Sequence, residues 1–119
     1  MKILVIDDEI AAELASEALR LAGFDVITVH DGDDGWRRLQ ARQAEIVITD
    51  WMMPGLDGIE LCRRIRSLEP EPYVYVILVT ARDQVSDVIQ GLDAGADDFV
   101  RKPFSPMELV ARLKRLLAR

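Results

Sequence analysis

Ile46-Val47-Ile48-Thr49-Asp50-Trp51-Met52-Met53-Pro54-Gly55 is the run from which the rest of the chain can be read outward. Its first four residues are aliphatic or β-branched without a break, as in a strand buried on both faces. The strand delivers Asp50 and then breaks, with Pro54 and Gly55 as strong loop punctuation. A carboxylate at the carboxyl end of a buried strand lies where open α/β sheets bind ligands. Taken alone, Asp50 reads equally well as a strand-end residue capping the next turn.

The same grammar recurs along the chain. Lys2 to Ile6 reads as a strand ending on Asp7, Asp8 and Glu9, followed by a helix from about Ile10. In that helix Leu14, Ala18, Leu21 and Ala22 form one apolar stripe, and Gly23 closes it. Phe24 to Val29 is a second strand and Asp31-Gly32 a turn. Asp33 or Asp34 then caps a helix that turns Trp36 and Leu39 inward. The Ile46 strand is third. Gly58 to Leu68 forms the next helix, with Arg63, Arg64 and Arg66 on an exposed basic side, and Glu69-Pro70-Glu71-Pro72 is a loop.

Val74 to Val79 is the fourth strand, ending in Thr80-Ala81. A helix over 85–94 is expected to bury Val85, Val88, Ile89 and Leu92, with Gly95 after it. Asp98-Phe99-Val100 is a short fifth strand that runs into Arg101-Lys102-Pro103. Ser105 caps the last helix, Pro106 takes its first position and Glu108 completes a capping box. Leu109, Leu113, Leu116 and Leu117 are its inner stripe. Strands alternating with helices require a parallel sheet, because helical crossovers connect parallel neighbours. Right-handed crossovers place helices on both faces, giving a doubly wound, five-stranded α/β domain over 1–119.

At 119 residues the chain suits one domain with one core. Its net charge of −6 argues against gripping nucleic acid through phosphate neutralisation. The single cysteine, Cys62, cannot pair within the chain and reads as a small buried hydrophobe. No apolar run approaches the roughly twenty residues of a membrane span, and no signal peptide precedes the first strand. A cytoplasmic protein is the expectation.

In a doubly wound sheet all the strand ends lie on one edge, which assembles Asp7, Asp8, Asp50, Thr80 and Lys102. Converging carboxylates repel one another, so a positive group is required. Hard oxygen ligands suit Mg²⁺, which uses one or two carboxylates together with phosphate oxygens. Lys102 adds a point charge and Thr80 a hydroxyl donor. Together they describe a pocket for a tetrahedral phosphoryl group, with Asp50 as carboxylate nucleophile.

With these residues in place, the chain resembles, end to end, the receiver domain of two-component response regulators, of the chemotaxis-regulator-like, flavodoxin-like (βα)5 kind. The resemblance rests on Asp7-Asp8-Glu9, on Asp50 with Met53-Pro54-Gly55 and Asp57-Gly58, and on Thr80-Ala81. Gly95-Ala96-Asp97-Asp98-Phe99 and Lys102-Pro103-Phe104 complete it. It implies that Asp50 accepts a phosphoryl group from a sensor histidine kinase or phosphotransfer protein. Asp8 and Asp50 would bind Mg²⁺, Asp7 would act through water, and the Met52 main-chain carbonyl would be a further ligand. Thr80, Ala81 N–H and Lys102 would hold phosphate oxygens, and the bond from Lys102 to Pro103 would be cis. Phe99 would be a switch aromatic that follows Thr80, although an aromatic in a fifth strand also suits a plain core role. The face built from the fourth helix, fifth strand and fifth helix would signal to an output domain or partner protein. The domain would then be a switch that catalyses only its own phosphoryl transfer and a slow loss of the label.

Some features depart from the common pattern. Dimers formed through that face often use three charge pairs. Here two remain, Asp98 with Arg112 and Asp97 with Arg119, because Val88 stands where a basic partner for Glu108 is usual. Gly35-Trp36 is also unusual for its helix and has no functional reading. The side chains that follow the nucleophile and the threonine by two positions, Met52 and Arg82, cannot orient a water, so slow hydrolysis is expected. Two other classes compete: a pseudo-receiver used only for protein interaction, and an aspartyl phosphohydrolase. The hydrolase would want an acid at position 52, where Met52 stands.

Overall fold

Aliphatic runs form the sheet because, in consecutive residues, both faces of each strand must be covered. The computed structural model describes residues 1–68 and 72–118. Its elements are β1 (Lys2–Ile6), α1 (Glu9–Leu21), β2 (Asp25–Val29), α2 (Gly32–Gln40), β3 (Ile46–Asp50), α3 (Gly58–Arg66), β4 (Tyr75–Thr80), α4 (Val85–Asp93), β5 (Asp98–Arg101) and α5 (Pro106–Leu117). All neighbouring strands pair in parallel, in the order β2-β1-β3-β4-β5. The order reverses direction at β1 and β3, which makes their carboxyl ends the switch point of the sheet.

Period-two alternation sends Ile3, Val5, Ile46, Ile48, Ile77 and Val79 to one face, where Ala12, Ala15 and Leu19 of α1 and Leu109 and Leu113 of α5 cover them. Leu4, Ile6, Val47, Val76 and Leu78 go to the other face, under Leu39 of α2 and Ile59, Cys62 and Ile65 of α3. Cys62 is fully buried there, and burial pushes its thiol up to about 12.

Two helices are rotated from their expected settings. In α1 the buried face is Ala12, Ala15, Ser16 and Leu19, while Leu14 and Leu21 are 59% and 84% exposed. Both stripes have helical spacing; the one made of small side chains faces inward because α1 must fit between the sheet and α5. Ala18 and Ala22 of the expected stripe are partly buried. In α4 only Gly91 is buried, Val88 is half-buried, and Val85, Ile89 and Leu92 face outward. The helix lies its glycine face on Leu78 and Phe99, where an added Cβ would come within 3.0 and 3.1 Å. It covers the edge of the sheet beside the four-residue β5, so little apolar surface needs covering.

Helix starts follow the acids with one shift. The α2 cap is Asp31, whose Oδ1 accepts from Asp34 N–H at 2.7 Å, rather than Asp33 or Asp34. Those two acids occupy the first turn, where the helix dipole favours them. Ser105 caps α5 through Met107 N–H at 3.1 Å. The expected capping box is absent, because the Glu108 carboxylate accepts from Arg112 Nε at 3.1 Å instead. Gly35, unexplained in the sequence, has a steric reason: a Cβ there would collide with the Ile6 side chain of β1. Trp36 beside it is partly buried, with the Arg64 guanidinium 5.9 Å from its ring centre.

Arg66 is not part of a solvated basic face. Its Nε donates to Gly95 O at 2.9 Å, Nη1 to Val74 O at 2.7 Å and Nη2 to Asp97 Oδ2 at 2.9 Å. Tyr73 lies under the guanidinium at 4.6 Å and donates its hydroxyl to Asp97 at 2.6 Å. Asp97 also accepts from Val76 N–H at 2.8 Å. Burial and the bond to Asp97 push the Tyr73 phenol up to about 12. Asp97 thus joins α3 to β4. The expected pair of Asp97 with Arg119 and positions 69–71 of the predicted loop lie outside the described residues.

This clasp ties the end of α3 to the start of β4 and to the α4–β5 turn. Arg66→Lys keeps the charge but loses the three-way fork. It is expected to cost roughly 2 kcal/mol in urea unfolding, with Arg63→Lys, on the exposed side of the same helix, within about 0.5 kcal/mol of the parent. Equal effects at the two positions would show that the clasp does not hold the fold.

Candidate functional site

Each site residue is placed by the end of a strand. Asp7 leaves β1 buried, with 7% of its surface exposed, and its Oδ1 accepts from Asp8 N–H at 2.8 Å. Asp8 is exposed and is the N-cap of α1, accepting from Ala11 N–H at 2.9 Å. Asp50 ends β3, and Thr80, with 1% exposure, ends β4. Lys102 follows β5 and precedes a cis bond to Pro103.

The strands bring together what the sequence separates by 95 positions. Lys102 Nζ lies 2.9 Å from Asp7 Oδ2 and 3.0 Å from Oδ1, and 3.4 Å from Asp50 Oδ2. One ammonium therefore serves two carboxylates. Asp50 is raised above its ordinary 3.8, first by burial and then by the charge of Asp7, and Lys102 only partly offsets this. For Lys102, burial acts to lower the pKa, but the hydrogen bond and charge of Asp7, with the charge of Asp50, raise it overall.

Thr80 hydroxyl accepts from Arg82 N–H at 3.2 Å, and its carbonyl accepts from Lys102 N–H at 2.7 Å. Phe99 is partly buried beside the Trp51 ring, edge-on at 6.3 Å. Met52 is 62% exposed at the mouth of the site, with its sulfur 3.6 Å from Arg82 Nη2. Ala81, also exposed, follows Thr80 in the same turn.

Asp7, Asp8 and Asp50 outnumber the single ammonium, which leaves an excess of two negative charges in an all-oxygen donor set. That chemistry fits a hard divalent cation such as Mg²⁺. Among the described residues no three acidic, His or Cys side chains converge into a ready-made cage. Lys102 stands between two of these acids, and Asp8 has one oxygen turned to its helix. An ion that keeps several waters suits such a loose set better than one that needs a closed protein shell.

Sequence reasoning did not find the apolar ground beside the site. A cleft of about 360 Å³ is lined by Ala11, Leu14, Ala15, Lys102, Pro103, Phe104 and Pro106. The outward Leu14 was the available signal, obscured because its spacing also fits a buried stripe.

A parallel switch-point sheet with this acid, lysine and threonine set defines a class of phosphoryl-handling signalling domain. Residues 3–114 match the response regulator receiver domain, and the chain belongs to that family. It is 46% identical over 119 residues to the phosphate regulon transcriptional regulatory protein PhoB of Rhizobium meliloti (strain 1021), covering 99% of this chain and 52% of that protein. It is 40% identical to the alkaline phosphatase synthesis transcriptional regulatory protein PhoP of Bacillus subtilis (strain 168), covering 99% of this chain and 49% of that protein. The chain thus spans about half the length of the curated relatives it matches. The crystal structure of the Klebsiella pneumoniae RstA BeF3-activated N-terminal receiver domain superposes with a TM-score of 0.89 at 30% identity, covering 100% of both chains. No helix among the described residues is long and apolar enough to cross a membrane.

The burial of Asp50 beside the charge of Asp7 has a consequence for stability. Asp50 binds its proton more tightly folded than unfolded, so its contribution is most favourable below pH 3.8 and is lost as pH rises through the higher folded value. Asp50→Asn is therefore expected to unfold at a higher temperature than the parent at pH 7 without divalent metal, and to lose that advantage near pH 3. An equal or lower melting temperature at pH 7 would show that Asp50 is not strained by its neighbours.

Proposed function

We propose that the chain is a phosphorylation-activated switch whose phosphoacceptor is Asp50, receiving the group from the phosphohistidine of a sensor kinase or phosphotransfer protein. The observation that carries this reading is the Lys102 ammonium held against both Asp7 and Asp50 at the end of β3. Burial strips water from Asp50, which favours attack by its carboxylate oxygen on phosphorus. The P–N bond to the donor imidazole breaks as the O–P bond forms, giving an acyl phosphate. In the transition state charge spreads over three equatorial oxygens, so the work of the site is positioning and charge neutralisation. Lys102 meets one oxygen, and Thr80 hydroxyl and Ala81 N–H meet others. Asp8, Asp50 and the Met52 carbonyl would hold Mg²⁺, with Asp7 acting through water, and the ion would supply the remaining counter-charge.

The new phosphoryl group offers contacts to Thr80 and Lys102 that exist in only one arrangement of the loops after β4 and β5. It therefore shifts the population toward that arrangement. Phe99, edge-on to Trp51 and against Gly91 of α4, follows Thr80 and carries the change to the α4–β5–α5 face. That face is read by an output domain or partner protein, or by a second phosphorylated copy. Arg112 already engages Asp98 at 3.2 Å and Glu108 at 3.1 Å within one chain, so a dimer there must reuse satisfied charges. The apolar cleft beside Lys102 gives the donor protein a surface to rest on. The domain acts in the cytoplasm, without binding nucleic acid or membrane itself, and its only catalysis is its own phosphorylation and slow dephosphorylation.

Reaction with acetyl phosphate and Mg²⁺, followed by intact mass and phosphopeptide mapping, tests this reading. Label is expected on Asp50 alone and absent from Asp50→Asn; an unlabelled parent would favour a pure interaction module. In the same assay the label should decay slowly, because Met52 and Arg82 cannot hold a water in line with phosphorus. Met52→Asn with Arg82→Glu should shorten the lifetime severalfold, and equal decay in both proteins would place control elsewhere.

A further inference from the structure

Arg82 is held at both ends. Its N–H donates to the Thr80 hydroxyl at 3.2 Å, and its Nη1 meets Asp87 Oδ1 at 3.2 Å in the first turn of α4. The guanidinium lies over the Trp51 ring, 4.5 Å from its centre, with Nη2 on the Met52 sulfur at 3.6 Å. Asp87 is the less exposed partner, at 14% against 43% for Arg82. Its second oxygen accepts from Gln84 N–H at 3.2 Å in a capping box. Asp87 is thus fixed by the helix start, and Arg82 is fixed by Asp87.

We infer that Asp87 is a positioning residue that acts through Arg82 to hold the Thr80 hydroxyl on the Arg82 N–H. This rests on the phosphoacceptor reading above. A phosphoryl group that recruits the Thr80 hydroxyl must take it from Arg82 N–H, and the loop between β4 and α4 cannot yield while the guanidinium is anchored to Asp87. The pair therefore opposes the switched arrangement. A ligand selective for that arrangement binds with an affinity reduced by the small fraction of molecules that occupy it. Releasing Arg82 raises that fraction.

The test uses beryllofluoride with Mg²⁺ as the probe, titrated into the whole chain and followed by the backbone amide resonances of Thr80 and Val100. Asp87→Asn removes the charge while leaving an oxygen for Gln84 N–H, and Asp87→Glu restores the charge. At low salt the Asn variant is expected to bind about two- to fivefold more tightly than the parent, as an ion pair of this exposure allows. The Glu variant should move back toward the parent. The advantage of Asp87→Asn should shrink at high salt, because screening loosens the pair in the parent alone. Loss of a helix cap would show no such salt dependence and would not be rescued by charge. Binding by the parent with an unchanged or weaker Asn variant overturns the latch and leaves the phosphoacceptor reading standing. No binding by the parent overturns both.

Discussion

Lys102 Nζ sits 2.9 Å from Asp7 and 3.4 Å from Asp50, and the rest of the site depends on that shared ammonium. Two carboxylates at adjoining strand ends repel one another unless a cation lies between them or one takes up a proton. A single ammonium spans both, and burial, followed by the charge of Asp7, still leaves Asp50 above its ordinary value. The fold accepts this incomplete compensation because the strands beneath are covered on both faces and leave the ends little freedom. The proposed phosphoryl chemistry uses the same imbalance: a site short of positive charge draws a divalent cation, and with it an anionic phosphoryl group.

Switching needs a second feature, a part of the fold held less firmly than the sheet. On the α1/α5 face, Leu109 and Leu113 are fully buried. On α4, only Gly91 is buried, and three large aliphatic side chains face outward. Few buried contacts make α4 the element that can move at low cost. The Arg66 clasp fixes the far end of the α4–β5 turn through Gly95 O and Asp97, so in the proposed switch the end of α4 nearest Thr80 is the one left to move. Asp87 and Arg82 sit at that end.

The sheet was readable because buried parallel strands leave continuous aliphatic runs, and strand boundaries fell within a residue of the expected ones at β2 and β4. That Asp7, Asp50, Thr80 and Lys102 meet at one edge was readable for the same reason, since each stands at or just past the end of such a run. Helix rotation was not: α1 carries two stripes of helical spacing, and only the tight fit against α5 selects Ala12, Ala15 and Leu19 over Leu14 and Leu21. Nor could spacing separate Arg66 from Arg63, because its partners Val74, Gly95 and Asp97 come from other elements. Gly35 and Asp87 were silent for that reason too. Their roles arise from Ile6 and Arg82, contacts created only when the sheet closes.

The strand-end acids outnumber the Lys102 ammonium, and in the proposed site a divalent cation completes the balance. The most direct measurement is the melting temperature at pH 7 and constant ionic strength, with and without millimolar Mg²⁺, for the parent and for Asp50→Asn. Ligand that binds only the folded site raises stability by mass action. The parent should melt several degrees higher with Mg²⁺, and Asp50→Asn, which has lost one ligand charge, should gain much less. Equal gains in the two proteins, or none in the parent, would show that no divalent cation is held at Asp50.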